Sequence, residues 1–170
     1  MQLAPQLPEA HAQLGWTPIF QNRHSAGLES FGHAFSINRN FVDNRHALAL
    51  AYSGLPERAL EVIRASIHLD PFQPFDSFAF VGHAHYLLGD YRNAANHLAH
   101  YPACAPVVRI LPLWLAAAQA GDLSAARAEA AQVRRLEPEF AIERWRVTAV
   151  YRRSEDAERL LHGLRLAGLP

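Results

Sequence analysis

Gly89-Asp90-Tyr91-Arg92-Asn93-Ala94 decides the fold, because it joins a helix-ending glycine, a helix-starting aspartate and, five residues after the glycine, a small alanine. Glycine is suited to ending one helix in a tight turn, and aspartate is suited to starting the next. The alanine lets the second helix pack closely against the first. Gly54-Leu55-Pro56 and Gly121-Asp122-Leu123 repeat the pattern, followed by Ala59 and Ala126. The sequence therefore predicts repeated helical hairpins.

A second series of motifs marks the ends of the hairpins. Leu69-Asp70-Pro71-Phe72 and Leu136-Glu137-Pro138-Glu139-Phe140 each end one apolar-periodic run and precede another. The equivalent positions along the chain are Pro5, Arg39, Pro71, Pro106 and Pro138. Their separations are 34, 32, 35 and 32 residues, near the roughly 34 residues of a known helical-hairpin repeat. In the first hairpin, Asn22 replaces the turn glycine and Gly27 replaces the alanine.

The two series agree in phase, so they predict the helices. Four hairpins are expected over residues 8–37, 42–69, 75–101 and 107–136, with helices at 8–20, 24–37, 42–53, 56–69, 75–88, 91–101, 107–119 and 123–136. Two closing helices are expected over 139–149 and 154–167, with Ser154 as the N-cap of the second. Pro18 and Pro112 fall inside predicted helices, and we expect these two helices to be kinked or shortened.

Composition limits the class of protein. Hydrophobic residues make up 50% of the 170 residues, and the 16 basic and 16 acidic residues cancel. This balance argues against a nucleic-acid partner, which requires a surplus of positive charge on one face. Cys104 is the single cysteine, which fits a reducing compartment. No apolar run reaches the roughly 20 residues of a membrane span, so we expect a soluble, cytoplasmic protein with no membrane partner.

The chain resembles the tetratricopeptide-repeat (TPR) family. Leu14-Gly15-Trp16, the segment 89–94 and the closures Asp70-Pro71 and Glu137-Pro138 look like TPR motifs and cover nearly the whole chain. The resemblance implies one all-α domain over residues 1–170. This domain would be a right-handed superhelical TPR solenoid of about four hairpins, with the C-terminal helices capping the last repeat.

The C-terminal residues 151–170 carry a narrower resemblance. They are similar to the end of the TPR region that follows the catalytic domain of bacterial class III adenylate/guanylate cyclases, with Ser154-Glu155 in place of that family's usual Asp-Pro. Similar TPR tails follow winged-helix transcription activators, so that parent is the alternative. The resemblance implies a regulatory or partner-binding tail and carries over no catalytic residue. Leu3-Ala4-Pro5 looks like the end of an earlier repeat, so we expect part of a longer protein rather than a short protein that begins with a remnant.

The first helices of a TPR stack line a concave face that binds extended or helical peptides. This face is predicted to be apolar and aromatic, and to bind a protein or peptide from the parent chain, a second copy or another protein. The predicted groove residues are Trp16, Phe20, Asn44, Leu48, Tyr52, His83, Tyr86, Leu115 and Gln119, with Ile19, Asp76 and Leu111 beside them. A carboxylate clamp is disfavoured, since Asn44 alone would fit it. The alternative is that some apolar members belong to the interhelical core.

Histidines offer a less favoured alternative function, metal binding. The candidates are His83, His85, His97 and His100. Imidazole suits zinc, copper or nickel, but His83 and His85 are two apart on a helix and point in different directions. We expect no metal and no cofactor.

Two further sets of residues are candidate sites. Cys104 would need His100 as a base to act as a nucleophile, and it is better explained as a small residue in a turn. Arg134-Arg135 and Arg152-Arg153 could meet a phosphate or an acidic peptide, but their acidic neighbours favour internal pairing. No phosphate-binding Gly-rich loop, HExxH or Gly-x-Ser-x-Gly motif is present. The chain itself is therefore not expected to be an enzyme.

Overall fold

The computed structural model of the protein describes residues 6–69, 76–100 and 111–170, and all regular structure in these ranges is α-helical. The helices are α1 (Pro8–Phe20), α2 (His24–Ile37), α3 (Arg45–Tyr52), α4 (Pro56–Leu69), α5 (Asp76–Leu87), α6 (Tyr91–Ala99), α7 (Leu111–Ala118), α8 (Leu123–Leu136), α9 (Ile142–Thr148) and α10 (Ser154–Leu166). The all-α prediction is confirmed for these residues. None of the described helices has the length and apolar character needed to cross a membrane.

Consecutive helices pack against each other in pairs. α1 packs on α2, α3 on α4, α5 on α6 and α7 on α8. Three of the four connecting turns contain a residue with positive φ: Asn22 (56°), Gly54 (78°) and Gly89 (78°). Glycine adopts this backbone conformation without steric cost. The φ of Gly121 is not positive, so the fourth turn reverses the chain differently. There Asp122 N donates to Gln119 O at 2.8 Å.

Three of the predicted helix-start residues are found where the sequence predicted them, and one is shifted by a single position. The Asp90 carboxylate accepts from Asn93 N, the Asp122 carboxylate accepts from Ser124 N and Ala125 N, and Pro56 is the first residue of α4. Ser154, predicted as an N-cap, is instead the first residue of α10. Arg153 occupies the N-cap position without a side-chain cap.

The two interior prolines lie near the described helix ends. Pro18 is in the last turn of α1, which runs on to Phe20, so the missing N–H of proline removes only a hydrogen bond of the terminal turn. Pro112 is the second residue of α7 as described, and the predicted residues 107–110 lie outside the described ranges. Neither proline prevents its helix from forming.

Each of the four helix pairs has a buried small residue in its second helix. Gly27, Ala59, Ala94 and Ala126, which share one register position, are all buried. At Gly27, an added Cβ would lie 2.7 Å from Ile19 Cδ1 and 2.8 Å from Gly15 O. A close approach is also seen in α5–α6, where a Cβ added to Gly82 would lie 3.1 Å from Ala94 O. The spacing of the sequence motifs is therefore repeated in three dimensions as a buried small residue in every pair, with tight crossings in α1–α2 and α5–α6.

The residue four positions further on is also buried in each pair. These residues are Phe31, Ile63, Leu98 and Ala130, at most 1% exposed. In α1–α2 and α5–α6 the large side chain faces a glycine, since an added Cβ at Gly15 would lie 2.8 Å from Phe31 Cδ2 and one at Gly82 would lie 2.6 Å from Leu98 Cγ. The equivalent pair in α7–α8 has the sizes reversed. Trp114 holds the register position of these glycines, 16 residues before the small Ala130, and is 1% exposed.

The described chain falls into two compact units. Unit 1 contains α1–α4 together with Val150–Arg152, and α3 packs there on both α1 and α2. Unit 2 contains α5–α10 without those three residues, and α7 packs there on both α5 and α6. Each unit has its own core. One continuous TPR domain over residues 1–170 stays a prediction.

The C-terminal helices belong to unit 2. Residues 139–149 and 154–167 were predicted as capping helices, and α9 and α10 lie within these ranges. α10 packs mainly on α7, with smaller contacts to α8 and α9. Its core side chains Leu160, Leu161 and Leu164 are fully buried. α10 is therefore an integral part of the core of unit 2.

Candidate functional site

The predicted groove residues of unit 1 divide into a buried group and an exposed group. Leu48 and Tyr52 on α3 are 5% and 7% exposed, and burial raises the pKa of the Tyr52 hydroxyl. Trp16 and Asn44 are half-buried. Phe20 is 53% exposed. Among the predicted groove residues of unit 1, the exposed side chain therefore lies at the C-terminal end of α1.

The chain itself covers Tyr52. Tyr151 packs edge-on against Tyr52 with ring centroids 5.1 Å apart, and Arg152 N donates to Tyr52 O at 2.8 Å. Tyr151 and Arg152 lie between α9 and α10 in the sequence, where no interaction with α3 was predicted. At Tyr52, the face of α3 that was predicted to bind a peptide is thus covered by a segment of the same chain.

The predicted groove residues of unit 2 are also largely buried. His83, Tyr86 and Leu115 are 0%, 1% and 8% exposed, and Gln119 is half-buried. For these three residues, and for Leu48 and Tyr52, burial favours the interhelical-core interpretation that the sequence left open. His83 stacks on the Trp114 ring at 4.0 Å, and burial lowers its pKa to about 3.

α10 covers Tyr86. The Tyr86 hydroxyl donates to Arg159 O at 3.1 Å, and the Arg159 guanidinium donates to Leu87 O. Gly163 of α10 lies so close to α7 that an added Cβ would be 2.9 Å from Ala117 Cα. A leucine-rich amphipathic helix of the same chain therefore lies against the first helices of both hairpins in unit 2.

Trp16 and Phe20 form an aromatic pair on the surface of unit 1. They are one helical turn apart on α1, and their rings meet edge to face with centroids 4.9 Å apart and an interplanar angle of 81°. Ile19, predicted beside them, is fully buried. Of the predicted groove aromatics, Phe20 alone keeps more than half of its surface exposed.

The histidines of α5 and α6 pair without forming a metal-ligand cluster. His85 and His97 stack with ring centroids 5.5 Å apart, and His85 Nδ1 lies 3.1 Å from Asp90 Oδ2. Burial, followed by the charges of His85 and His100, lowers the pKa of His97. Within the described ranges, no group of three or more His, Cys, Asp or Glu residues could hold a metal ion. Cys104 lies outside these ranges.

The two arginine pairs differ in their partners. Arg153 forms ion pairs with Glu155 and with Asp156, which is 1% exposed. Arg134 Nη1 donates to Gly168 O at 3.4 Å. The prediction of internal pairing is confirmed for Arg153, whereas Arg152 forms no ion pair with a described carboxylate.

One cavity was not anticipated from the sequence. It has a volume of about 410 Å³ and is lined by α9 and the residues before it, including Phe140, Arg144 and Trp145. Beside it on α9, Val147 is 85% exposed. No periodic signal pointed to this cavity, because α9 is only seven residues long.

No protein-family model matches the chain, and no curated protein sequence matches it.

Proposed function

We propose that this chain is a non-catalytic interaction module of the TPR type that binds an apolar protein segment. The repeated hairpins, the buried small residues at one register position and, in three of the four hairpins, a large buried side chain four residues later support the TPR interpretation. Such repeats commonly present the first helices of their hairpins to a partner. The exposed part of that face in unit 1 is the proposed binding surface.

The Trp16–Phe20 pair is the observation that carries this proposal. Burying apolar surface is worth about 25 cal/mol per Å², and interface energy is commonly concentrated in exposed aromatic side chains that a partner covers. Phe20 is 53% exposed, and its ring packs against the half-buried Trp16, which fixes the orientation of the pair. A partner that covers both rings would gain apolar contact without rearranging α1.

A leucine-rich amphipathic helix is the kind of segment that fits this function best. In unit 2 the first-helix face already accepts α10, which buries Leu160, Leu161 and Leu164 there. Helix-in-groove recognition uses apolar residues at such spacings. By analogy, the partner of unit 1 is a helix with an apolar face, from the parent protein or from a second copy.

The resemblance of residues 151–170 supports a place in a larger signalling protein. On this proposal the chain is a cytoplasmic, regulatory tail behind a cyclase-like catalytic domain. A winged-helix transcription regulator is the alternative parent. The histidine-based metal function is not favoured, because His85 and His97 stack on each other and gain no third ligand among the described residues.

The test uses a labelled peptide of residues 154–167 as a model amphipathic helix, and a peptide of the same composition in scrambled order. We expect saturable binding of the first peptide with shifts of the Trp16 indole N–H in NMR spectra. Phe20→Ala should weaken binding at least tenfold, because it removes the most exposed ring. Val147→Ala, which shortens an exposed apolar side chain of unit 2, is the matched control and should leave binding unchanged.

Stability separates binding residues from core residues. Phe20→Ala should change the free energy of unfolding by less than about 0.5 kcal/mol. Tyr52→Ala should cost several kcal/mol, since it opens a cavity under Tyr151. If Phe20→Ala binds the peptide as well as the unchanged chain does, or unfolds as easily as Tyr52→Ala, the Trp16–Phe20 surface is not the binding site.

A further inference from the structure

Unit 2 has a cavity of about 310 Å³ beside the contact between α7 and α10, here called the α10 cavity. Its walls are mostly apolar or small, and they include Tyr86, Tyr91, Ala117, Ala120, Gly163 and Leu166. The two helices touch at one end of it, where a Cβ added to Gly163 would lie 2.9 Å from Ala117 Cα. Small-molecule sites begin at about 300 Å³. The α10 cavity is therefore of a size for a compound with a single ring.

Two basic side chains line this otherwise apolar cavity. They are Arg159, which is half-buried, and His162, which is exposed at the rim. No carboxylate is among the described residues that line it. Small-molecule sites commonly combine apolar walls with a few polar groups that fix the orientation of the ligand. The charge of the α10 cavity is therefore complementary to a small anion.

Arg159 is held in place and keeps free donors. Its backbone O accepts from the Tyr86 hydroxyl at 3.1 Å, and its Nη1 donates to Leu87 O. Asp156 Oδ1 lies 3.9 Å from Nη1, too far for a hydrogen bond, and this carboxylate pairs with Arg153 at 3.1 Å. Nε and Nη2 of Arg159 have no acceptor among the described residues, and both atoms are accessible to solvent. A fixed guanidinium thus offers two adjacent N–H groups to a ligand.

Aromatic and aliphatic side chains supply the apolar part of the site. The Tyr86 and Tyr91 rings lie 5.3 Å apart with an interplanar angle of 51°. Tyr86 is 1% exposed, whereas Tyr91 and Leu166 are 43% and 44% exposed and leave apolar surface that a ligand can cover. Aromatic rings pack well edge-on or offset against one another. A ligand ring is therefore the group that fits beside the Tyr86–Tyr91 pair.

We propose that the α10 cavity binds a small aromatic monocarboxylate. The ring packs against Tyr91 and Leu166, and the carboxylate accepts from Nε and Nη2 of Arg159. Two parallel N–H groups of a guanidinium match the two oxygens of a carboxylate. A single negative charge also matches the single guanidinium at this wall. The site goes beyond the proposed function, because it lies in unit 2 and uses neither Trp16 nor Phe20.

The test is an NMR titration of the full chain with sodium benzoate at constant ionic strength. We expect saturable shifts of the Gly121 and Gly163 amides, because both residues line the α10 cavity. Benzamide has the same ring and nearly the same size without the charge, so it should bind about tenfold more weakly. Sodium acetate lacks the ring and should give no shifts that saturate.

Variants separate the role of Arg159 as a ligand from its role in packing. Arg159→Gln should bind benzoate and benzamide equally, with its affinity for benzamide unchanged, whereas loss of a purely structural contact would weaken both. Arg165→Gln removes the same charge from α10 outside the cavity, so it is the matched control and should keep the preference for benzoate. Ala120 is half-buried in the cavity wall. Ala120→Leu leaves Arg159 in place, fills the space and should weaken both ligands at least about tenfold.

A further arm distinguishes a small molecule from the end of a protein chain. N-acetylglycylphenylalanine carries the same two groups, a ring and a carboxylate, on a peptide terminus. It should bind more weakly than benzoate, because the cavity is at the small end of ligand sites. Tighter binding of this peptide would overturn the assignment to a small molecule. Shifts that do not saturate with benzoate, equal binding of benzoate and benzamide to the unchanged chain, or a preference for benzoate that survives in Arg159→Gln would also overturn the proposal.

Discussion

Gly27 and Gly32 lie on the same helix, α2, and meet opposite surroundings. A Cβ added to Gly27 would lie 2.7 Å from Ile19 Cδ1 and 2.8 Å from Gly15 O, whereas a Cβ added to Gly32 would meet nothing within 4 Å. Gly27 is therefore required by the close approach of α1 and α2. Gly32 is exposed in the middle of the helix, where glycine destabilises relative to alanine because it loses more backbone entropy on folding.

Alanine substitutions at these two positions should have effects of opposite sign. Gly32→Ala should stabilise unit 1 by roughly 0.5–1 kcal/mol. Gly27→Ala should destabilise it by roughly 1–3 kcal/mol, because the backbone of Gly15 cannot move aside as a flexible side chain can. Urea unfolding followed by circular dichroism measures both. Equal effects at the two positions would contradict a tight crossing at Gly27.

At the scale of helices, local chemistry predicted most of the fold. The turns at Gly54 and Gly89 and the caps at Asp90 and Asp122 depend on a few neighbouring residues, so the sequence alone was enough to place them. Ser154 was predicted as the N-cap of α10 but is its first helical residue. Sequence patterns place the end of a helix only to within one or two residues.

The candidate site was less predictable, because it depends on contacts far apart in the sequence. The register placed Tyr86 on a first helix correctly, but nothing local to Tyr86 indicates that its hydroxyl donates to Arg159, 73 residues away. In the same way, no pattern near Tyr52 predicts that Tyr151 covers it. Periodicity gives the face of a helix on which a residue lies, and it does not give the segment that covers that face.

Trp114 and Ala130 should behave as a size-matched pair in α7–α8. Trp114→Ala should cost about 3–5 kcal/mol, since the ring is 1% exposed and stacks on His83. Ala130→Phe alone should also destabilise, because it overfills the crossing. The double variant restores the size order seen at Gly82 and Leu98, so its loss should be smaller than the sum of the two. A double-mutant cycle measures this coupling, and strictly additive losses would show that the two positions do not share one space.

At the scale of the whole molecule, both units protect histidines from protonation. His46 in unit 1 stacks on Phe31 at 5.1 Å, and its pKa is lowered to about 4 by burial and, secondarily, by the charge of Arg58. His83 in unit 2 is fully buried, and burial lowers its pKa to about 3. In the unfolded chain both would titrate near the ordinary value of about 6.5. The folded chain therefore binds fewer protons than the unfolded chain in mildly acidic solution.

Because of this difference in proton binding, the free energy of unfolding decreases as the pH is lowered. A histidine with a lowered folded pKa contributes its full stabilisation above about pH 6.5 and loses it progressively as the pH falls towards its folded pKa. Between pH 7.5 and 5.5, a window above the ordinary carboxyl range, each of the two should account for a loss of roughly 1 kcal/mol. Urea midpoints at these two pH values measure the loss. His46→Phe keeps an aromatic ring against Phe31 and removes the titrating group, so its midpoint should fall less between the two pH values. If the variant and the unchanged chain lose the same stability over this window, His46 is not protected from protonation in the folded chain.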